Sequence, residues 1–349
     1  MERKLASIQK ISEISPIPNS DNLILLRILG WDVVSNKEAK HQKNDLVVLC
    51  EIDSFLPERP EFEFLRASSY KPAFLDRPAG FRIKTVKLRG QVSQGICFPT
   101  SILPSGVSVE EGADVTEALG VVKYEVPVPV GMSGKVKGMF PGFLPKTDEV
   151  RVQNVEAALI RHQGRLFYVT EKLDGSSFTA FLREGKFGIC SRNLLMDETD
   201  ESTIYSKVAK ALDLENVLRK MVERLGYDVA VQGEICGPGV QGNKYGLKTH
   251  DLFVFNLLNI GTRGLLDFSE MLALTSEFGL KTVPYLGDYV LVPSVDVLVK
   301  YSEGVSRLNP NTKREGVVFR PLVEEWDEDV GGRLSFKAIN PQFLLKYDE

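Results

Sequence analysis

Six charged residues have the types needed to attack and manage a phosphate: Lys172, Asp174, Arg192, Glu234, Glu315 and Lys337. Each lies in or beside an apolar run that reads as a strand. Lys172 follows the run Leu166-Phe167-Tyr168-Val169-Thr170. After it come Leu173-Asp174-Gly175-Ser176-Ser177, which reads as a turn, and a second strand-like run from Phe178 to Leu182. A lysine at a strand end, held by such a turn, is placed to be a nucleophile. Only the neutral amine attacks, so its ordinary pKa of ~10.4 has to fall, through desolvation or a nearby cation. One lysine, three carboxylates and two further cations suit attack on a nucleotide α-phosphate. The carboxylates would hold Mg²⁺ (or Mn²⁺) through its waters, the metal would lower the lysine pKa, and the cations would stabilise charge developing on the phosphate. An aromatic such as Phe255 could stack on a purine. Taken singly, each charge also reads as a solvated strand end and Phe255 as a core residue. The signal lies in the order and spacing of the six together.

The chain around them is 349 residues long and 43% hydrophobic, enough for one large core and for two domains. Its net charge is −4, so any nucleic-acid partner must be met by local positive charge. There is no N-terminal apolar h-region and no apolar run near 18 residues, so neither a signal peptide nor a membrane span is expected, and a cytoplasmic location is. Cys50, Cys97, Cys190 and Cys236 form no CxxC pair and read as small buried hydrophobes in a reducing compartment. His41, His162 and His250 are too scattered for a zinc site.

Residues 1–122 read as an all-β domain. Short apolar runs such as Leu23–Leu29, Leu46–Cys50 and Gly95–Phe98 are separated by turn residues, which suggests a small barrel or sandwich. Phe81 to Arg89 interleaves apolar residues with Arg82, Lys84, Lys87 and Arg89. A bulge near Thr85 would turn Phe81, Ile83, Val86 and Leu88 inward and leave a basic face suited to a phosphate backbone, or simply to solvent. Residues 123–155 read as a Pro-rich connection, with Thr147 as N-cap of a short helix that would carry Arg151. Residues 156–349 read as α+β with antiparallel strands. They include a hairpin at Arg183-Glu184-Gly185, one helical segment over 203–225, and helices over 267–278 and 294–308. Strands are expected at 228–235, 252–258, 316–320 and 334–339.

These motifs resemble those of the covalent nucleotidyltransferase superfamily of polynucleotide ligases and capping enzymes. Lys172-Leu173-Asp174-Gly175 is similar to the KxDG nucleophile motif, and Ser191-Arg192-Asn193 to the RNA ligase form of the next motif. Glu234, within Gly233-Glu234-Ile235-Cys236-Gly237-Pro238-Gly239-Val240-Gln241, is similar to the GE-x-x-GPGIQ segment of RNA ligases. Phe253-Val254-Phe255-Asn256, Glu315-Gly316-Val317-Val318 and Lys337 fit the remaining motifs. The run Lys87–Gly95 resembles a segment of the OB-folds in tRNA-binding domains. The resemblance implies an α+β chain: an N-terminal OB-like barrel, then an ATP-grasp-like ligase domain. It also implies an ATP-dependent RNA ligase. Lys172 would carry AMP, Glu171 would lie near the adenine, and Phe255 and Val318 would sandwich it. Arg192 would touch the ribose or 5′-phosphate, Glu234 the ribose and a metal water, and Lys337 the α-phosphate. Asp174 and Glu315 would hold metal waters. Arg151 resembles a nucleotide-proximal residue upstream of the nucleophile.

One departure stands in the last motif, where many ligases carry a second lysine two residues away. Ser335 and Ile339 flank Lys337 at that spacing. Either Lys346 takes the role or no residue does. The β domain comes first and the chain ends soon after Lys337, an order similar to RNA ligases with an N-terminal OB domain. Their substrates are RNA 3′-OH and 5′-phosphate ends at nicks in a duplex, and a monomer with no membrane partner is expected. The competing readings are a DNA ligase, a GTP-using capping enzyme, and a non-catalytic RNA-binding protein with a relic transferase fold.

Overall fold

The first strand is buried on both faces over its first four residues. In Ala6–Pro16, Ile8 and Ile11 are buried while Lys10 faces solvent. A computed structural model of the chain describes residues 3–75, 77–125 and 136–347. Ala6–Pro16 is the centre of a five-stranded antiparallel sheet in the order Gly95–Pro99, Leu46–Glu51, Ala6–Pro16, Leu23–Ile28, Trp31–Asn36. Its edges meet: Gly95 lies against Val33, and the Gln94 amide donates to the Asp32 carbonyl at 2.8 Å. The sheet thereby closes into a small barrel, the first of the two architectures, barrel or sandwich, that the run spacing suggests.

The basic run departs from expectation. Gly80–Arg82 and Val86–Leu88 are separate strands in different sheets, with Ile83–Thr85 as the crossing between them. Phe81 and Ile83 are buried, but Leu88 is 41% exposed on the tip of a hairpin with Gln91–Ser93. A kink replaces the bulge because Ile83 pairs through its main chain with Asp53 and Ser54, which fixes it to the barrel wall.

Two large sheets make most of the second half. One runs, among the described residues, in the order Val136–Met139, Leu194–Met196, Lys186–Cys190, Ser176–Arg183, Val229–Cys236, Asp251–Asn259, Gly264–Leu265, with Lys281–Thr282 added parallel to Asp251–Asn259. The other has the order Val150–Arg151, Phe336–Ile339, Gly316–Pro321, Leu166–Lys172, Tyr285–Val290. Helices Ile204–Ala211 and Leu214–Leu225 cover the first sheet. The expected single helix over 203–225 is broken, with Asp213 in the left-handed region at φ 49°. The break lets Leu214, Leu218 and Met221 turn onto the sheet. The last expected helix is shorter, Val295–Ser302, because residues 303–315 must turn back to deliver Glu315. No helix forms at Thr147. Its hydroxyl instead pairs with Ser177 Oγ at 3.2 Å, and Val150–Arg151 joins the sheet edge. The proline run at 126–130 lies outside the described residues.

The barrel is tied to the second half. Ile339, Phe343 and Leu344, from the last strand and the helix Pro341–Tyr347, sit in the barrel's own hydrophobic core. Trp31 Nε1 donates to Asn154 Oδ1 (2.7 Å), Asn154 Nδ2 to Glu51 Oε1 (2.7 Å) and the Gly30 amide to the Gln153 carbonyl (2.9 Å). An added Cβ at Gly30 would lie 2.8 Å from Gln153 Cα, so this approach requires glycine.

Candidate active site

Strand pairing assembles the charged residues. Lys172 closes its strand directly opposite Gly316, which places the neighbouring Glu315 carboxylate at 2.6 and 2.8 Å from Lys172 Nζ. Gly316 is packed against the next strand, and a Cβ there would meet the Ala338 carbonyl at 2.4 Å. On the facing sheet, Ser177 pairs with Glu234, and Gly175 presses on Ile235 and Glu234 so closely that a Cβ would lie 2.4 and 2.8 Å away. The Asp174 amide donates to Tyr245 Oη (2.7 Å), and its carboxylate forms a buried ion pair with Lys244. Lys337 sits beside Val318 on one side and Arg151 on the other.

The electrostatics are strained. Burial disfavours the Lys172 ammonium, but Glu315, then Glu234 and Asp174, outweigh it and hold the ammonium above its ordinary value. The fall expected from the sequence therefore does not occur in the protein alone, since neighbouring acidic groups, Glu315 above all, stabilise the cation. Burial pushes the Glu234 carboxyl up to about 8; Lys172 opposes this, and Glu315 and Asp174 reinforce it. Burial, then Lys172 and Arg151, push Lys337 toward neutrality. Such a cluster of unsettled charges is the pattern of a functional site.

Phe255 reaches the cleft through a device invisible in the sequence. Gln232 pairs with Asn256 but Gly233 pairs with Val254, so Phe255 is the extra residue of a β-bulge. Gly233 has no room for a Cβ, which would lie 2.7 Å from the Phe253 carbonyl. Val318 stands on the opposite sheet. Arg320, two residues on and on the same face, donates to the Phe255 carbonyl at 2.9 Å. Its guanidinium carbon lies 5.9 Å from the Phe255 ring. Glu171 Oε2 accepts from the Arg307 amide (2.7 Å). Arg192 is half-buried at the rim, 2.5 Å from Asp148.

One predicted position sits apart from this cluster. Lys346 is exposed on the last helix, over the Tyr347 ring. The cation beside Ser335 is Arg320, whose Nε donates to Ser335 Oγ at 3.1 Å and whose Nη2 meets Glu149 at 2.7 Å. Arg151 is buried and bonded to Asp53 of the barrel at 3.0 Å. Sequence reasoning missed Lys244, Asp148, Arg320 and Asp53. Lys244 lies three residues beyond the Gly-rich segment that ends at Gln241, and that proximity was the available signal. Asp53 comes from a different domain and left none.

The site has unfilled hydrogen-bonding capacity. Among the described residues, Glu171 Oε1 and Arg151 Nε and Nη1 are buried without hydrogen-bond partners. A buried acceptor and two buried donors suit a polar, anionic ligand, as a nucleotide is. Among the described residues no three His, Cys, Asp or Glu side chains converge closely enough to hold a metal directly. The carboxylates of Asp174, Glu234 and Glu315 fit a hard cation reached through water.

Comparison with known proteins gives matches over both halves. An RNA ligase family model matches residues 165–339, and an OB-fold domain model matches residues 5–100. The structure is similar to that of Naegleria gruberi RNA ligase with pyrophosphate, at 34% identity over 99% of both chains and a TM-score of 0.89. It is also similar to a lysine-to-alanine mutant of that ligase with ATP and Mn (34% identity, 98% of both chains, TM-score 0.88). A glutamate-to-alanine mutant with AMP and Mn matches equally, at 34% identity, 98% of both chains and TM-score 0.88. No curated protein sequence matches the chain.

Proposed function

The chain belongs to the RNA ligase family, and from that premise we propose that it seals RNA 3′-OH and 5′-phosphate ends at duplex nicks, using ATP and a divalent cation. The observation that carries this reading is Lys172 Nζ held 2.6 Å from Glu315 within a ring of carboxylates, beside Lys337. Neutral Lys172 Nζ attacks the ATP α-phosphorus, a P–N bond forms, and pyrophosphate leaves. An oxygen of the RNA 5′-phosphate then attacks the same phosphorus, breaking the P–N bond and returning the lysine. The 3′-OH attacks the RNA 5′-phosphorus and AMP leaves. A bound cation supplies positive charge that offsets the carboxylates and the triphosphate. Asp174, Glu234 and Glu315 hold its waters, and with their charge offset Lys172 can release its proton. Lys337 and Arg192 bind phosphate oxygens, and a partly neutralised Lys337 avoids repelling Lys172 before the nucleotide arrives. Phe255 and Val318 enclose the base, and Glu171 Oε1 accepts from it.

ATP and manganese in the Naegleria structures support the cofactor assignment, and Mg²⁺ is the physiological equivalent in this reading. Four unpaired cysteines support a reducing, intracellular setting, and a single chain carrying every group named here supports a monomer. The barrel orients pyrophosphate or grips the duplex. The test is covalent labelling. Protein incubated with Mg²⁺ and ATP labelled at the α-phosphate, then denatured, keeps label on wild type and not on Lys172→Met. Label from GTP alone points to capping chemistry, and label from neither nucleotide leaves only RNA binding. Nicked RNA and DNA duplexes then separate RNA from DNA sealing.

A further inference from the structure

Beyond the cleft, the barrel carries an unassigned basic surface. Residues 78–109 contain Arg82, Lys84, Lys87 and Arg89 and no Asp or Glu, in a chain of net charge −4. We propose that this surface, from Lys123 and Arg82 out to the Lys87–Arg89 hairpin tip, is a track for the phosphodiester backbone of the RNA flanking the break. The proposal rests on the ligase reading and extends it to the contact that holds the substrate.

Three observations support it. The hairpin presents its charge: Lys87, Leu88, Arg89 and Gly90 are all exposed, and the tip turns through Arg89 and Gly90 at φ 50° and 91°. It is rigidly rooted, by Ile83 N to the Ser54 carbonyl (2.8 Å), Asp53 N to the Ile83 carbonyl (2.9 Å) and Gln94 N to the Asp32 carbonyl (2.8 Å). It is also continuous with the active site. Asp53 is bonded to Arg151, the register partner of Lys337. Lys123 lies 3.9 Å from Asp148, which pairs with Arg192 at the cleft rim. Between rim and hairpin, the Arg82 guanidinium packs 4.5 Å from the centre of the Tyr124 ring, which holds it in place. Cations run from the cleft rim, where Lys123 and Arg192 share Asp148, through Arg82 to an exposed hairpin, and such a run suits a polyanion that must lie across the site. Lysine and arginine contacts to phosphate position a nucleic acid without reading its sequence.

The experiment compares wild type, Lys87→Glu/Arg89→Glu, and a control Lys207→Glu/Lys210→Glu on the exposed side of helix Ile204–Ala211. Binding of a fluorescent nicked RNA duplex is measured from about 50 to about 200 mM salt. Lysine adenylylation without RNA and thermal unfolding are measured alongside. The hairpin variant is expected to bind about tenfold more weakly at the low-salt end, with the slope of log affinity against log salt reduced by about 2. Its label and unfolding should match wild type, and the control should bind as wild type does. Wild-type affinity and slope in the hairpin variant, or equal weakening in the control, would overturn the track while leaving the ligase reading standing. Absence of label on wild type itself would remove both.

Discussion

Two buried charge networks lie side by side on one sheet face, and they are built to opposite rules. Around Arg320 every guanidinium nitrogen has a partner: Nε meets Ser335, Nη1 the Phe255 carbonyl, and Nη2 Glu149. Burial raises the Glu149 carboxyl, but Arg320 and Arg333 outweigh it and hold it below its usual range. Around Lys172 the same strands carry groups driven from their ordinary states, with Glu234 raised, Lys337 lowered and Arg151 left with two unpaired donors. A fully paired buried network fixes a structure, whereas an incompletely paired one is waiting for a ligand. The difference is one row of residues: Val318 and Lys337 face the cleft, and Arg320 and Ser335 lie one step deeper.

Replacement at each network should therefore fail in different ways. The largest effect is Lys172→Met, for which all covalent label from ATP is expected to vanish in a denaturing gel while the circular dichroism spectrum stays native. Retained label would assign the nucleophile elsewhere. Next is Arg320→Met, which leaves Glu149 with the more distant Arg333 (3.8 Å) as its cation and is expected to cost about 3–5 kcal/mol in urea denaturation. The double variant with Glu149→Met should recover much of that. A loss of label without a loss of stability would erase the distinction between the networks.

Glu234→Gln should sharpen it. The Glu234 carboxyl is raised from its ordinary 4.5 to about 8 in the folded protein. Between those values the unfolded chain ionises while the folded chain keeps its proton, so this group's contribution to stability falls as pH rises through the interval. In metal-free denaturation at pH 5.5 and 8, the glutamine variant should lose that component, on the order of 2 kcal/mol. An unchanged pH dependence would count against a strained carboxyl. The smallest effect is expected from Lys244→Gln. Lys244 pairs with Asp174 and lies over the Phe343 and Tyr347 rings at 5.0 and 4.5 Å. Without that cation Asp174 is freer to hold a metal water, and the Mn²⁺ concentration for half-maximal labelling should fall a few-fold. A rise would mean that Lys244 positions Asp174 rather than competing for it.

Residue type and local spacing singled out Lys172, its turn, the carboxylates on neighbouring strands and the α+β pattern. All of these are short-range properties: a strand end, an Asp-Gly turn, an apolar run. The all-β character of the first domain, too, was legible from strand-length runs, which left barrel and sandwich open. The tertiary structure decided what depends on register and on contacts across many residues. A one-residue bulge aims Phe255, and its only local trace is Gly233. Glu315 reaches Lys172 across 143 positions. Asp53, from the barrel, reaches Arg151 across 98. The helix break at Asp213 and the kink at Ile83–Thr85 follow from packing on sheets that the local sequence does not encode. Even the charge state of Lys172 belongs to this second class. A lysine's type makes it a candidate nucleophile, but the carboxylates brought together by folding, Glu315 first among them, hold its proton in place until a ligand offsets them.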